Sequence, residues 1–429
     1  MVILNSLYVK SIITAGNTDI LSMKKCLLSA LLCFFALNAG LFGAEITVPN
    51  VELASRGVKE DGNFEIRSSL DAEIAVTGGY KYGFTLGLGA EIPNLEKALS
   101  YGRFDILSMT NPDDFNDRMD NQPVLAIRSI KATAREIFNT PLEISFFIGR
   151  NDKLGSGDEF QEYFGTVPIG TGLKGFFYYP EGLNGDPFLR YNGAIHNILG
   201  TGLSFKAVLG NFVPAVYIYQ DLSFMENQTV PGLGGNYQSG RYSGDVKLLA
   251  NWENAKFEIF FGGTYSSDEK EVLRGGALAW FGSGPIAFLL QAGIPYYEAG
   301  KKLDIDNCYF LMESRLRLEK IGAKLTFFYN PVYYMNQIIW EGTEKANGRA
   351  DINLRMFYGD ITKSAFEAGL ESTAHLKIQD GEDYRIWVSP FVSIITSGLQ
   401  WDLALRFNPR HYWKKGDLME GFIGIRTAY

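Results

Sequence analysis

Residues 418–429 read LMEGFIGIRTAY and end the chain on an aromatic side chain. Counted back by twos from Tyr429, the residues are apolar or small apart from one threonine, and the alternate set back to Glu420 is polar or small apart from Phe422. A period of two is that of a β-strand, whose successive side chains point to opposite faces. The stretch therefore predicts a strand with one apolar and one polar face, as found in soluble sheets and in barrel walls.

An alternating strand that stops on a terminal aromatic residue resembles the closing strand of bacterial outer-membrane β-barrels. The resemblance implies that Tyr429 belongs to an assembly signal that the barrel assembly machinery recognises. It also implies an export signal, many further alternating strands and no long apolar helix. Over residues 23–429 the layout resembles the porin-like outer-membrane proteins of diderm bacteria and suits the divergent barrels of spirochaetes.

The amino-terminal region carries the export signal. The sequence MKK at 23–25 precedes an apolar run over 26–42, and two small residues follow. A positive start, an apolar middle and a small-residue end are typical of a secretory signal peptide, with an N-terminal membrane anchor as the alternative. We predict an upstream extension at 1–22 with the true start at Met23, a signal peptide at 23–44, and a single barrel domain at 45–429.

Composition narrows the class of the mature chain. The full chain has a formal charge of −8, and three lysines and one aspartate before residue 45 leave −10 for the rest, which disfavours nucleic acid as a partner. Only Cys308 lies beyond the signal, so no internal disulfide is expected. The three histidines are scattered, so we expect no metal site, and no motif indicates a cofactor. Beyond residue 44 no apolar run reaches the roughly 18 residues of a spanning helix.

The two-residue period is clearest over residues 64–92. From Phe64 to Val76 the even positions are mainly apolar and the odd positions mainly charged. After a turn of threonine and glycines the pattern restarts and continues from Tyr80 to Ile92. Two such runs joined by a glycine-rich turn predict a β-hairpin, with one face continuously apolar and the other made of charged residues and glycine.

Similar runs recur along the chain. Further strands are predicted over 124–138, 142–149, 170–179, 188–210 as one strand or two, 212–222, 242–252, 256–265, 271–281, 286–294, 309–319, 323–329, 351–358, 365–378, 384–395, 399–407 and 418–429. Residues 93–122 break the pattern and predict either a long loop or a segment folded into a lumen. The connections alternate roughly between short and long, which is the sidedness of an outer-membrane barrel.

The predicted fold is all-β: a transmembrane antiparallel up-and-down β-barrel of about 18 strands, within a range of 16–20. Single-chain bacterial barrels have even strand numbers. If 188–210 holds two strands, the count is odd, and parity requires either a further strand near Ile46–Val58 or a single fused strand over 188–210. Tyr242 and Trp252 share the apolar phase ten residues apart, which at ~3.3 Å per residue and ~40° tilt gives about 25 Å, the spacing of two aromatic girdles.

The polar phase of the cleanest strands predicts the lumen wall. In residues 309–319 that phase carries acids and arginines, with Leu311 as the exception. A soluble sandwich would present the same pattern to solvent, but the signal, the terminal aromatic residue and the strand number favour a barrel. The residues singled out as pore-lining are Glu313, Arg315, Arg317, Arg355, Glu371 and Arg406.

Catalytic patterns are weak. Ser389 lies near Asp383, and His375 lies one predicted strand earlier, but their spacing fits no catalytic motif, and a polar residue of the lumen or rim is the favoured interpretation of His375. We therefore expect no enzyme. The sequence favours an outer-membrane channel for small polar solutes, surrounded by outer-membrane lipid. A transporter of hydrophobic ligands and a surface adhesin remain the alternatives.

Overall fold

The computed structural model describes residues 45–60, 63–92, 124–171, 194–221, 241–266, 271–331, 349–377, 385–409 and 419–427. In these residues eighteen strands form one antiparallel sheet. They are β1 (Glu45–Glu60), β2 (Asn63–Gly78), β3 (Tyr82–Ile92), β4 (Val124–Ala134), β5 (Leu142–Leu154), β6 (His196–Ala207), β7 (Phe212–Asp221), β8 (Arg241–Asn251), β9 (Ala255–Ser266), β10 (Val272–Ser283), β11 (Ile286–Glu298), β12 (Tyr309–Arg317), β13 (Ile321–Asn330), β14 (Arg349–Asp360), β15 (Phe366–Lys377), β16 (Arg385–Thr396), β17 (Leu399–Phe407) and β18 (Met419–Thr427).

The sheet closes on itself. Each strand pairs with the next one along the chain, and β1 pairs with β18 in a register that runs from Glu52 opposite Arg426 to Val58 opposite Glu420. The result is a closed up-and-down barrel, in which no strand edge is left unpaired. This confirms the predicted fold class and the predicted number of strands.

The two ends of the barrel differ. The connections that follow the even-numbered strands β2 to β16 are two to seven residues long, whereas those at the other end reach 41 residues, between β5 and β6. Short turns on one side and long loops on the other are the sidedness of outer-membrane barrels. We call these the short-turn end and the long-loop end. At the short-turn end, Ser397 and Gly398 both have positive φ, which makes the β16–β17 turn a tight two-residue hairpin.

The outward face is apolar. Along β8 burial alternates, so that Tyr242, Gly244, Val246 and Leu248 are exposed while the odd-numbered residues between them are buried. The same phase exposes large apolar side chains around the ring: Ile66, Ile259, Phe288, Met312, Leu354, Leu370, Leu403 and Ile423. A continuous apolar outer band is the surface that a membrane β-barrel presents to lipid.

Aromatic side chains mark both ends of this band. At the short-turn end Trp252 packs edge-on against Phe212 and Phe257, with ring centroids 5.7 and 5.8 Å away, and Phe257 continues to Phe281. At the long-loop end Tyr242 lies opposite Tyr265, and both are exposed. The outward placement of Tyr242 and Trp252 is the one expected for two girdles.

Three sequence-based strand predictions need correction or completion. Residues 45–60 form a wall strand, so the additional strand weighed near Ile46–Val58 exists. In the region 188–210 the described strand is β6, which begins only at His196. The strand predicted at 170–179 is wrong at its start, because Gly170 and Thr171 lie in a loop. The rest of that predicted strand lies outside the described residues, as do residues 1–44, residues 93–122 and Tyr429.

Within the described residues, no helix combines the length and the apolar character needed to cross a membrane.

A charged side chain introduced on the outward face should destabilise the barrel strongly. Leu370 lies on β15 with its side chain 38% exposed on the apolar band. Replacing it with arginine places a cation in hydrocarbon, and we expect Leu370→Arg to destabilise the barrel by roughly 2–4 kcal/mol. Leu370→Met, which keeps the side chain apolar, should refold like the wild type. The measurement is urea-dependent refolding into lipid vesicles. Equal stability of the two variants would contradict the assignment of this face to lipid.

Candidate functional site: the lumen and its inward-folded loop

A loop folds into the barrel directly after β5. Residues 155–171 leave the wall through two glycines in the left-handed region, Gly155 and Gly157, and form the short helix α1 (Glu159–Phe164). Polar side-chain contacts tie this loop to strands β6, β8, β9, β11 and β12. Strands that lie so far apart around the ring can all contact one short segment only if that segment lies inside the ring. The buried, charged phase of these strands therefore faces the lumen.

A buried carboxylate anchors the root of the loop. Glu258, on β9, is 2% exposed and accepts hydrogen bonds from the backbone N–H groups of Gly155 at 2.6 Å and Gly157 at 3.2 Å. The side-chain amide of Gln291, on β11, donates to the carbonyl of Gly155 at 2.5 Å. Charge-assisted bonds to backbone N–H groups are stronger than neutral ones. Glu258 thus fixes the point at which the chain turns inward.

Two lysines of the barrel wall hold helix α1. Lys206, on β6, lies 2.7 Å from Glu159 and 2.8 Å from Asp152, and Lys247, on β8, also pairs with Glu159. The four side chains are at most 9% exposed and carry two positive and two negative charges. A buried pair of this kind is costly to break, because removal of one partner leaves an uncompensated buried charge.

Tyr163, one helical turn after Glu159 on α1, contributes its ring to the same cluster. The ammonium of Lys206 lies 5.2 Å from the Tyr163 ring centroid, within the range of a cation–π interaction. Burial raises the pKa of the Tyr163 phenol above its usual range. The phenol therefore stays neutral at physiological pH.

The far end of the loop is fixed on β12. The guanidinium of Arg315 donates to the carbonyls of Ile169 at 3.0 Å and Gly170 at 2.7 Å. Arg315 also pairs with Glu313 at 2.6 Å, and Glu313 accepts from the hydroxyl of Thr171 at 2.7 Å. The loop is therefore held at both of its described ends and in its middle.

Apolar packing fills the space between loop and wall. Phe160 and Ile169 of the loop are fully buried in a cluster with wall residues from β5 to β13. Wall members of this cluster include Phe147, Leu154, Ile198, Leu249, Leu278, Leu289, Leu311 and Phe328. The loop thus narrows the lumen from the β5–β13 side and is packed like a protein core rather than standing free in water.

A buried polar network reinforces the wall beside the loop, toward the long-loop end. Arg274, on β10, donates to both carboxylate oxygens of Asp245, at 2.8 and 2.6 Å, and to the hydroxyls of Thr264 and Tyr219. Asp221 accepts from Thr264 at 3.0 Å. The network joins β7, β8, β9 and β10. Because its charged members have no exposed side-chain surface, it cross-links the wall rather than lining a passage.

The opposite wall also carries paired charges, and two of these pairs keep contact with water. Arg426 lies 3.1 Å from Asp402, with exposed fractions of 30% and 14%, and Arg128 lies 3.0 Å from Glu73, which is 25% exposed. Charged pairs of this kind can meet a passing hydrated solute. The sector formed by β14–β18 and β1–β4 is therefore the candidate passage.

Arginines on this wall also stack on aromatic rings. The guanidinium of Arg355 lies 3.8 Å from the ring centroid of Phe391 and bonds Glu367 and Glu371 at 2.6 and 3.2 Å. The guanidinium of Arg406 lies 3.6 Å from the ring centroid of Trp387. Stacking holds both guanidinium groups against the wall, and Arg355 is fixed further by its two carboxylate partners.

The six residues predicted to line a pore fall into different surroundings. Glu313 and Arg315 hold the loop, and Arg355 and Glu371 belong to the opposite wall. Arg317 pairs with Asp360 at 2.7 Å near the short-turn end and keeps 42% of its side-chain surface exposed, whereas Arg406 is only 1% exposed. All six lie on the inward phase. That they line a conducting pore stays a prediction.

Sequence reasoning missed the residues that position the loop. Glu258 and Lys247 occupy inward positions of strands that were predicted, and alternation alone could have placed them on the lumen side. Nothing in the sequence pairs Glu258 with Gly155, more than one hundred residues away. Residues 151–166 are polar and glycine-rich, a composition that by itself indicates only a connection between strands.

The backbone register separates two of the residues weighed for catalysis, and the third, Asp383, lies outside the described residues. In the β15–β16 pairing Ser389 is opposite Glu371, whereas His375 is opposite Arg385. Glu371 and His375 are four residues apart on β15, which corresponds to about 13 Å along the strand, so Ser389 and His375 are separated by roughly that distance. Among the described residues, no cluster of histidine, cysteine and carboxylate side chains could hold a metal ion.

Comparison with known proteins finds similarity of structure. No protein-family model matches the chain, and no curated protein sequence is similar to it. Acinetobacter baumannii OccAB3 aligns with a TM-score of 0.50 at 10% identity, over 90% of this chain and 98% of that chain. Pseudomonas aeruginosa OccK5 (OpdH) gives 0.47 at 10% identity over 89% and 97%, and a triple mutant of Rh. blastica porin gives 0.42 at 10% identity over 90% and 100%. The alignment with OccAB3 shows a shared fold, and the expected resemblance to porin-like barrels is confirmed at that level.

The anchor at Glu258 predicts local opening of the loop. Glu258→Gln keeps the size of the side chain but removes its charge and one carboxylate acceptor. Because hydrogen bonds to charged groups contribute about 1.5–3 kcal/mol, we expect amide exchange of residues 155–165 to accelerate by roughly one to two orders of magnitude. The measurement is hydrogen–deuterium exchange on the refolded barrel. Glu367→Gln, on the opposite wall, is the matched control. Equal exchange in both variants would mean that Glu258 does not hold the loop.

Proposed function

We propose that the protein is an outer-membrane channel through which small polar solutes diffuse. The observation that carries the proposal is the asymmetry of the lumen: one side is closed by a packed loop, and the opposite wall presents charged pairs that remain in contact with water. Barrels of 16–18 strands are wide enough to leave an aqueous channel. A segment that narrows such a barrel from one side leaves a passage along the other.

The location in the outer membrane follows from the same architecture together with the sequence. We propose that residues 23–44 direct export and are removed, that residues 45–429 form the barrel, and that Tyr429 contributes to recognition by the assembly machinery. The apolar outer band supports a lipid environment, because exposed apolar side chains repeat on the outward phase of nearly every strand.

One observation favours a second candidate function, transport of hydrophobic ligands. Phe357, Phe391 and Phe422 form a buried apolar cluster with Ala404 on the inward phase of β14–β18. A hydrophobic solute would find apolar contacts there. The charged pairs that surround the cluster favour polar solutes.

The first test concerns location and conduction together. Residues 45–429, refolded into planar bilayers, should give stepwise ion currents, and the cellular protein should fractionate with the outer membrane and migrate faster on gels when unheated. Recovery in the soluble periplasmic fraction would exclude the barrel in membranes. A folded, heat-modifiable protein without current would favour the adhesin, and inhibition of the current by a long-chain fatty acid would favour the hydrophobic transporter.

The second test concerns ion selectivity. Because arginines and acids of the passage are paired, their fields largely cancel for a hydrated ion beyond the ~8 Å screening length of physiological salt. We expect a weak cation preference. Arg317→Ala leaves Asp360 uncompensated and should increase that preference, whereas Asp360→Asn leaves Arg317 uncompensated and should reduce it. The reversal potential in a tenfold salt gradient measures both shifts. Shifts of the same sign in the two variants would contradict a passage beside this pair.

A further inference from the structure

The outer wall carries an apolar groove of about 540 Å³ where β1, β2 and β16–β18 meet. Ile66, Leu403, Leu405 and Ile423 stand along it, each between 46% and 56% exposed. Its volume lies within the ~300–1,000 Å³ typical of small-molecule sites. The groove is thus a depression bordered by side chains of the lipid-facing phase.

Missing side chains and an interrupted hydrogen-bond ladder create the groove. Gly57 of β1 faces Gly421 of β18, so neither strand places a side chain there. A Cβ atom at Gly421 would meet only the end of Leu405, at 3.8 Å, so the space in front of it is open. On the other side, pairing between β16 and β17 skips Ser389 and Pro390, because proline has no N–H to donate.

The chemistry of the groove is uniform. None of its lining residues carries a charge, and serine at position 55 is the only one with a polar side chain. Behind it, on the lumen side, lies the buried cluster of Phe357, Phe391, Ala404 and Phe422. The wall is therefore apolar on both of its surfaces here, and the groove continues the outer band without a polar border.

We propose that this groove binds an acyl chain of a membrane lipid, and that the chain stays there longer than lipid does elsewhere on the barrel. The inference rests on the membrane location proposed above and not on conduction. The occupant must be apolar because the lining offers it no charged partner. It must also be narrow, because the bordering side chains project on both sides of the glycine pair.

A second copy of the barrel fits this site less well. Close approach of two membrane-protein surfaces depends on small residues at the contact. Here the small residues lie at the bottom of the depression, and Leu403, Leu405 and Ile423 would hold a flat partner wall away from them. A flexible hydrocarbon chain can follow the depression.

Photo-crosslinking tests the proposal. The refolded protein is placed in phosphatidylethanolamine vesicles that contain phosphatidylcholine with a diazirine in mid-chain, and the labelled residues are mapped by mass spectrometry. We expect labelling concentrated on residues 403–405 and 421–423. Gly421→Leu fills the groove and should lower this labelling roughly tenfold. Gly244→Leu is the matched control, because Gly244 also lies on the outward phase with open space before it.

Three outcomes would overturn the proposal. They are labelling spread around the barrel in proportion to exposed area, equal labelling in the wild type and Gly421→Leu, and a groove that stays unlabelled in a preparation that sediments as a dimer. If Gly421→Leu fails the gel test for folding, Gly57→Leu fills the groove from the facing strand. Currents recorded on the same preparations keep the proposals separate, because labelling reports on the outer wall and current on the lumen.

Discussion

In a bilayer the backbone N–H and C=O groups of a membrane protein must find their partners within the protein, because hydrocarbon offers none. The pairing of β1 with β18 meets that condition, since it joins the first wall strand to the last and leaves no edge. Much of the architecture follows from this closure. The chain must cross an even number of times, both described ends lie at the short-turn end, and each strand has one side toward lipid and one toward the lumen.

Closure at eighteen strands creates a second requirement. A ring of this size is too wide for its own inward side chains to fill. The segment after β5 folds into the ring and fills part of the lumen. Charged side chains that are buried on the inner wall hold it there. Lys206, Lys247 and Glu258 each face a partner in or beside the loop. Because such pairs are expensive to leave half-formed, the loop has one position, and the shape of the passage is fixed with it.

The fold was predictable from the sequence because alternation is a local signal. In β8 each outward residue from Tyr242 to Leu248 meets the same apolar environment, so the period survives without knowledge of neighbouring strands. The site was much less predictable. Gly155 and Glu258 are far apart in sequence, and only the closed ring brings them together. A glycine-rich connection has the same composition whether it projects into water or folds into the barrel. Composition therefore could not place residues 155–171 in the lumen.

Departures from alternation carry most of the remaining information. Leu311 is apolar on an inward phase because it packs beneath the loop, and Phe422 is apolar there because it joins Phe357 and Phe391. On the outward phase of β1 the small residues Ser55 and Gly57 weaken the strand signal, and the same residues form part of the groove. Where the environment on each side of the wall is uniform, the period of two is kept. A break in the period therefore marks a place where the wall contacts something other than bulk lipid or an open lumen.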